Sequence, residues 1–294
     1  MSQTQVRSDE DLRQVLERLS IRSGPVFIKV NWTSPLEGMY TERQVLEQFL
    51  EVLPRPVVFV EAHSVGRLAG KTNLADLPIE MDEYQRIIRA ADKAFLKETG
   101  LDTLMEAPSV SYFNITEAVW KGQCVPGHVI QSDLKSAGEG PLKFPEFYDY
   151  VPTWLYEQRH KASFLNLTRV KVPAEDHGDW SLTLKNLFGL IPDPYRIKYH
   201  RQDLPGAIID INRIYRTLFP VVDIAEALHW VVIYDEEGDR RVPWGRYRLL
   251  PGNGTIFWGH DPVALDLEVG RRYGRNLSKR QLILRAQAMF TDEG

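Results

Sequence analysis

The chain has 294 residues, of which 43% are hydrophobic and 26% charged, the balance of an ordinary globular protein. Its formal net charge of -4 gives no sign of nucleic-acid binding, which depends on clustered positive charge. The single cysteine, Cys124, excludes an internal disulfide and a four-cysteine iron–sulfur or zinc site, so a bound metal would need His, Asp or Glu ligands.

The chain begins with a polar, acidic segment that does not resemble a signal peptide. No apolar run approaches the roughly 20 residues of a membrane span. We therefore predict a cytoplasmic protein with no membrane partner. One basic region near the C-terminus could suggest nucleic acid, but we interpret it as solvent-facing helix surface. It consists of Arg271, Arg272, Arg275, Lys279, Arg280 and Arg285.

In chain order, the first half predicts a helix after Ser8, a buried strand at 25–31, a second helix and a buried strand at 57–62. Thr41 and Gln44 have the spacing of a capping box at the start of the second helix. The order strand, helix, strand indicates a parallel crossover.

Residues 64–150 are less regular, with a helix predicted at 82–97 and a strand at 110–115. Residues 116–150 are rich in glycine, proline and aromatic residues. We interpret 64–150 as a cap or insertion within a single domain of residues 1–294.

The second half returns to regular elements. It predicts strands at 162–168, 221–225, 230–234 and 255–258 and helical segments at 181–190 and 204–218, and a further helix capped by Asp261. The predicted fold class is α/β, with a mixed, mostly parallel sheet flanked by helices and an irregular insertion or cap.

Residues 66–72 resemble a phosphate-binding loop, but only three residues separate Gly66 from Gly70 where such a loop has four. We interpret this segment as an ordinary loop. It follows a predicted parallel strand, so Glu61, His63 and Lys71 lie where α/β sheets bind ligands.

The densest chemistry lies between residues 162 and 200, where Lys185 and Asn186 stand in a short predicted helix. A lysine beside a buried face can bind an anion, or act as a base or nucleophile when desolvation lowers its pKa. The alternative is a solvated lysine. His177 and His200 flank it and are candidate acid/base groups, although their spacing matches no compact metal motif.

Polar residues at the ends of predicted strands are further candidates. Lys29 and Asn31 end the first buried strand, and Asp223 ends a later one. The carboxyl ends of parallel strands are where α/β enzymes keep their working groups. Asp266 lies between two leucines in a predicted helix, which suggests a buried or site-facing carboxylate and a candidate metal ligand.

Several of these residues appear in the same order in one family. They are the segments VFIKVN, SLTLKNLFGLIPD, PVVDI and GHDPVALD, which contain Lys29, Asn31, Lys185, Asn186, Asp223 and Asp266. From about residue 25 to about residue 275 the chain resembles the domain-of-unknown-function 362 family.

The resemblance implies a single α/β domain, and some members of this family carry a ferredoxin-like iron–sulfur extension. With one cysteine, this chain is expected to hold no such cluster. Members often have a Lys-x-His motif after the strand that corresponds to 162–168. Here Lys171 is followed by Val172 and Pro173, so the histidine is missing, as is a glycine–proline element after Asp223.

A more distant similarity concerns the layout histidine, lysine, histidine. His177, Lys185 and His200 follow one another in the order found in nickel-pincer lactate racemases, in which the lysine carries the cofactor and a histidine ligates the metal. The glycine-rich run around that lysine is absent here. This similarity stays a hypothesis about layout.

Two functional hypotheses follow. In the first, the chain is an enzyme acting on a small anionic metabolite by acid/base or metal-assisted chemistry. Lys185, His177, His200 and Asp223 would be catalytic, Lys29, Asn31 and Asn186 would bind a cofactor or ligand, and Asp266 would hold a divalent metal. This requires Lys29, Lys185, Asp223 and Asp266 to converge in one pocket.

In the second hypothesis, the chain is a non-catalytic ligand- or partner-binding module of a biosynthetic complex. The missing family histidine and the aromatic-rich segment favour it. The sequence indicates neither the substrate nor the oligomeric state.

Overall fold

The structure is a computed structural model that describes residues 1–19, 21–22, 24–68, 79–174, 180 and 182–290. Its strands are β1 (Ser2–Gln5), β2 (Val26–Lys29), β3 (Val57–Glu61), β4 (Val110–Asn114), β5 (Ser163–Arg169), β6 (Lys171–Pro173), β7 (Val221–Ala227), β8 (Trp230–Tyr234), β9 (Arg240–Val242), β10 (Gly245–Pro251) and β11 (Thr255–Gly259).

The α-helices surround these strands. They are α1 (Asp9–Arg18), α2 (Arg43–Val52), α3 (Met81–Glu98), α4 (Ile115–Trp120), α5 (Gly127–Ser136), α6 (Thr153–Gln158), α7 (Thr183–Asn186), α8 (Ile197–Gln202), α9 (Leu204–Leu218), α10 (Pro262–Arg272) and α11 (Gln281–Phe290). Within the described residues, no helix is long and apolar enough to cross a membrane.

The larger sheet has seven strands in the order β1-β11-β7-β5-β2-β3-β4. The five from β7 to β4 are parallel, whereas β11 is antiparallel to both of its neighbours. The α/β fold with a mixed, mostly parallel sheet flanked by helices is therefore confirmed.

The winding of the chain changes direction next to β2. The chain passes from β2 outward to β3 and β4, and then returns to the opposite side of β2 with β5 and β7. The connections that leave β2 and β5 consequently part in opposite directions at the carboxyl edge of the sheet. In open α/β sheets such a point leaves a crevice in which ligands bind.

A second sheet, in the order β6-β8-β10-β9, stands at this carboxyl edge. Only Val170 separates β5 from β6, and a short turn separates β7 from β8. The Val170 N–H donates to the Glu226 carbonyl, and its own carbonyl accepts from the Val232 N–H. The smaller sheet is thus a direct continuation of two central strands of the larger one.

Side chains on β2 and β5 alternate between two hydrophobic cores, as the period of two along a strand requires. Phe27 and Phe164 face one core, which includes the side chains of α5 and α9. Ile28 and Leu165 face the other, which contains those of α1 and α2. Helices therefore bury both faces of the central strands, and polar groups can reach solvent there only at the strand ends.

Residues 115–158, which include the aromatic-rich segment 116–150, contain helices α4, α5 and α6 and a short 3₁₀ helix. Phe147 and Leu155 from this region are fully buried in the same core as Phe27. The aromatic-rich segment therefore covers one face of the sheet.

The capping box predicted at Thr41 is wrong. Helix α2 begins at Arg43 with Glu42 as its N-cap, and no side chain caps it. The Thr41 hydroxyl instead accepts a hydrogen bond from the backbone N–H of Asn31, at 3.1 Å. This contact pins the segment that follows β2, where the site described below begins.

Candidate functional site

A cavity of about 410 Å³ opens at the carboxyl edge of the larger sheet, at the change of winding beside β2. Its walls come from the segments that follow β2 and β3, from the turn formed by α7 and the 3₁₀ helix Leu187–Leu190, from the start of α8 and from the smaller sheet. The charged side chains that line it are Lys29, Lys171, Lys185, Arg196 and Glu61. Four cationic groups therefore face a single carboxylate among the described lining residues.

Lys29 and Glu61 form a buried ion pair on the floor of the cavity. The Lys29 Nζ lies 2.9 Å from Glu61 Oε2 and also donates to the Val30 carbonyl at 2.6 Å. Burial lowers the pKa of Lys29 to about 8, although Glu61 opposes this shift.

Gly189 lets the 3₁₀ helix lie directly against this pair. A side-chain carbon at residue 189 would stand 2.7 Å from both Lys29 Nζ and Glu61 Oε1. Such a distance is well inside van der Waals contact. The absence of a side chain at this position is therefore what brings the segment carrying Lys185 and Asn186 down onto the floor.

Lys171 is the second buried lysine of the cavity, with 2% of its surface exposed. Its Nζ donates to Asn31 Oδ1 at 2.5 Å and to the Met39 carbonyl at 3.2 Å. Burial lowers the pKa of Lys171 to about 7, and the positive charges of Arg169 and Lys185 lower it further. Its hydrogen-bond acceptors are neutral, so this ammonium lacks the carboxylate that stabilises that of Lys29.

Arg196 contributes a third cation. Its guanidinium donates to the carbonyls of Ile191, His63 and Gly189, at 3.1, 3.0 and 2.9 Å respectively. Its backbone has φ 49°, a left-handed conformation that is uncommon for a side-chain-bearing residue and that recurs at functional sites. Burial lowers the pKa of Arg196.

A chain of asparagines connects Lys171 to the interior of the sheet. Lys171 donates to Asn31 Oδ1, and Asn31 Nδ2 donates to Asn186 Oδ1 at 3.1 Å. Asn186 Nδ2 donates to Asn166 Oδ1 at 2.8 Å, and Asn166 Nδ2 donates to Asp223 Oδ1 at 2.6 Å. We call this chain the asparagine relay.

The two ends of the asparagine relay fix the direction of its bonds. A lysine ammonium can only donate and a carboxylate can only accept, so each amide oxygen must point toward Lys171 and each amide nitrogen toward Asp223. Arg216 closes the far end with a bidentate pair to the Asp223 carboxylate, both contacts being 2.9 Å. The amide dipoles are thus aligned between a cation and an anion, which strengthens each bond.

Several of the residues selected from the sequence line this one cavity, among them Lys29, Asn31, Glu61, Lys185, Asn186 and His200. The His200 and Phe188 rings form a T-shaped pair with their centroids 5.5 Å apart. His177 and Lys71, in contrast, lie outside the described residues, so the predicted layout of His177, Lys185 and His200 stays a prediction.

Asp223 does not line the cavity, contrary to the expectation of convergence. Strand β7 continues to Ala227, so Asp223 lies inside the strand rather than at its end, fully buried. Its two oxygens accept from Asn166 and Arg216. It supports the site through the asparagine relay instead of facing it.

Asp266 is also fully buried behind the cavity. Its Oδ1 accepts from the Thr183 N–H at 2.9 Å and from the Thr183 hydroxyl at 2.6 Å, and its Oδ2 accepts from the Leu184 N–H at 3.3 Å. Burial raises the pKa of Asp266 to about 7 in spite of these bonds. The carboxylate predicted as a metal ligand is therefore used to anchor the turn that carries Lys185.

Among the described residues, no cluster of three or more His, Cys, Asp or Glu side chains could hold a metal ion.

His63, which the sequence placed near the site, points away from the cavity. It bonds Glu117 and Asn114, both at 3.0 Å. Burial lowers the pKa of His63 to about 4.

Sequence reasoning did not single out Asn166 or Arg196. Asn166 interrupts an apolar strand whose residues are all buried, and a lone amide in such a strand is a signal of a buried polar network. Arg196 offers no comparable signal, because its place depends on the path of an irregular loop between prolines and α8.

Comparison with known proteins gives one family. A family model described as Domain of unknown function (DUF362) matches residues 157–269. The predicted resemblance to this family is confirmed. The matched segment contains Lys171, Lys185, Asn186, Asp223 and Asp266, whereas Lys29, Asn31 and Glu61 come before it.

No curated protein matches the sequence. Among solved structures, a crystal structure of a Thermotoga maritima protein from a structural genomics consortium is similar, with a TM-score of 0.32 and 10% sequence identity. The similarity covers 98% of this chain and 61% of that one. The chain therefore spans about three fifths of the length of that protein.

Replacing Asn186 with leucine should destabilise the fold. The substitution removes the acceptor of Asn31 Nδ2 and the donor to Asn166 Oδ1, leaving two buried polar groups without these partners. We expect a loss of roughly 2–6 kcal/mol in the free energy of unfolding, measured with urea. Gln14→Leu, at an exposed position of α1, should cost less than about 1 kcal/mol. Equal costs would show that the relay does not stabilise the protein.

Replacing Asp266 with asparagine should change how stability depends on pH. The folded pKa of Asp266, about 7, lies above its ordinary value of 3.8, so the folded state holds the proton more tightly. The protonated Asp266 side chain therefore contributes fully to the free energy of unfolding below about pH 4. This contribution is lost as the pH rises to about 7, at up to about 1.4 kcal/mol per pH unit. In Asp266→Asn this part of the decline should vanish from urea unfolding curves recorded across that range. An unchanged slope would contradict the prediction.

Proposed function

We propose that the cavity binds a small anionic molecule and that Lys171 transfers a proton to or from it. The observation that carries the proposal is the collection of four cationic side chains around one carboxylate among the described residues that line the cavity, at the winding change of the sheet. Lys29 is already paired with Glu61. The hydrogen bonds described for Lys171 and Arg196 go to neutral oxygens, so a bound anion would offset the cost of burying these two cations.

Lys171 is the best acid/base candidate because its pKa, about 7, is close to neutral pH. General acid/base catalysis is most efficient when the pKa of the group lies near the working pH. Lys29 has a pKa of about 8 but is held by the Glu61 carboxylate, which limits its role as a proton carrier.

Lys185 and His200 complete the proposed site. The Lys185 side chain is half-buried on the cavity wall and would bind the anion, and its charge also contributes to the low pKa of Lys171. His200 is exposed at the wall and would serve as a second acid/base group. Metal-assisted chemistry would need more ligands than the one carboxylate and one histidine found among the described lining residues.

A second candidate function is a non-catalytic ligand-binding module. Pro173 occupies the place of the histidine in the Lys-x-His motif that members of the family often carry. An anion would bind in the same cavity without proton transfer, so the two candidates share their binding step and differ in turnover.

Anion binding can be measured with sulfate, which stays fully ionised between about pH 6 and pH 9, by isothermal titration calorimetry. Because the protonated lysines attract the anion, affinity should be highest below about pH 7 and should fall as Lys171 and Lys29 lose their protons. Lys171→Gln should bind sulfate roughly tenfold more weakly and with a smaller pH dependence. Undetectable sulfate binding by the wild-type protein would sink the proposal.

Lys185→Met is a matched variant that should shift the pH profile of sulfate affinity, whereas Lys171→Gln should flatten it. Removing Lys185 also removes a positive charge that lowers the pKa of Lys171. Sulfate affinity should be weaker at every pH, and the pH at which it declines should move upward. An unchanged midpoint would show that the two lysines are not coupled.

Proton transfer needs a separate test. Native mass spectrometry of the purified protein would identify a co-purifying anion, which is then incubated with the protein in D₂O. Wild-type protein should catalyse deuterium exchange or turnover, and Lys171→Gln should lower the rate at least about 100-fold. Binding without exchange or turnover would favour the module.

A further inference from the structure

The cavity also has an apolar lining that the proposed anion site does not use, and we call it the apolar wall. It consists of apolar and aromatic side chains from the smaller sheet and its β9–β10 turn, the 3₁₀ helix Leu187–Leu190, α8 and the segment after β2. They are Trp32, Met39, Phe188, Ile197, Tyr234 and Trp244. We infer that the ligand is an anion attached to a flat, aromatic body. This inference rests on the proposed anion site and specifies the remainder of its ligand.

Two members of this wall are exposed to an unusual degree. Trp244 has 47% of its surface exposed and Ile197 has 45%. Isolated exposed apolar residues are normal on protein surfaces, but apolar groups concentrated beside a polar cleft mark ligand sites. Here both stand at the cavity that contains the buried Lys29 and Lys171, and a bound apolar group would cover them.

The position of Trp244 suits a ring that stacks on the ligand. It occupies the turn between β9 and β10, and Tyr234 on the neighbouring strand β8 lines the same wall. The Tyr234 hydroxyl lies 3.9 Å from Met39 Sδ, which ties this wall to the segment after β2. Aromatic pairs gain binding energy beyond the area that they bury, whereas an aliphatic chain would gain only burial.

The smaller sheet contributes both a cation and an aromatic ring to the lining of the cavity. Lys171 belongs to the first strand of the smaller sheet, and Trp244 to its far turn. The same sheet therefore presents a cation to the anionic group and an aromatic ring to the body of one ligand. A cavity of about 410 Å³ has the volume of a small-molecule site that can hold both parts.

Matched pairs of anions test this inference by calorimetry at constant pH. Benzoate and acetate carry the same carboxylate, and phenyl phosphate and inorganic phosphate carry the same kind of headgroup. Wild-type protein should bind the aromatic member of at least one pair about tenfold more tightly. The pair that shows the preference identifies the headgroup as carboxylate or phosphate.

Variants at Trp244 connect the preference to this wall. Trp244→Ala should reduce the ratio of the two affinities to about two or less, while leaving acetate or phosphate affinity unchanged. Trp244→Leu keeps an apolar group without a ring and should recover only part of the ratio. Trp154→Ala, which removes another exposed tryptophan outside the cavity, should leave the ratio unchanged.

The outcomes separate the two proposals. If sulfate and acetate bind but the aromatic member of neither pair binds more tightly, the aromatic ligand is refuted and the anion site stands. A preference that survives in Trp244→Ala equally refutes the assignment to this wall. If none of the anions binds to the wild-type protein, the anion site itself is refuted.

Discussion

The site depends on the asparagine relay that joins Lys171 to Asp223. Its members come from the segment after β2, from β5 and β7, and from α7, so one chain of hydrogen bonds connects the elements that separate at the winding change. A crevice between diverging connections has no regular backbone ladder to close it. Side-chain amides take over that function here, because each can donate to one element and accept from another.

Burial of positive charge gives the cavity its chemistry. Two lysines whose ammonium groups are removed from water hold their protons weakly, and the partner of each determines by how much. Lys29 has a carboxylate beside it, while Lys171 has carbonyl and amide oxygens. The sheet therefore provides two cations that lose their protons at different pH, Lys171 at about 7 and Lys29 at about 8. Asp223, which ends the relay, and Asp266, which holds the turn that carries Lys185, are fully buried.

Much of the fold was predictable because strand and helix patterns reflect burial on two faces of a sheet. The placement of Lys29 and Asn31 followed from the same geometry, since both come at the carboxyl end of a buried strand. The geometry failed for Asp223 because β7 runs two residues beyond its predicted end at residue 225. It failed for Asp266 because a helix pattern shows which side of the helix is buried, but not which backbone N–H groups a buried carboxylate will accept hydrogen bonds from. Arg196 and Trp244 belong to irregular segments whose paths are set by tertiary packing.

The continuity between the two sheets has a mechanical consequence. Because β5 passes into β6 through Val170, the wall that carries Lys171 and Tyr234 cannot swing as a hinged lid without bending two central strands. The proposed ligand would then enter past the rim, by rotation of side chains such as Trp244 and Ile197. The rim would then contribute to ligand selectivity in addition to the cavity itself. A flat molecule would pass edgewise between the rim side chains, whereas a bulky molecule of equal charge would have to displace them.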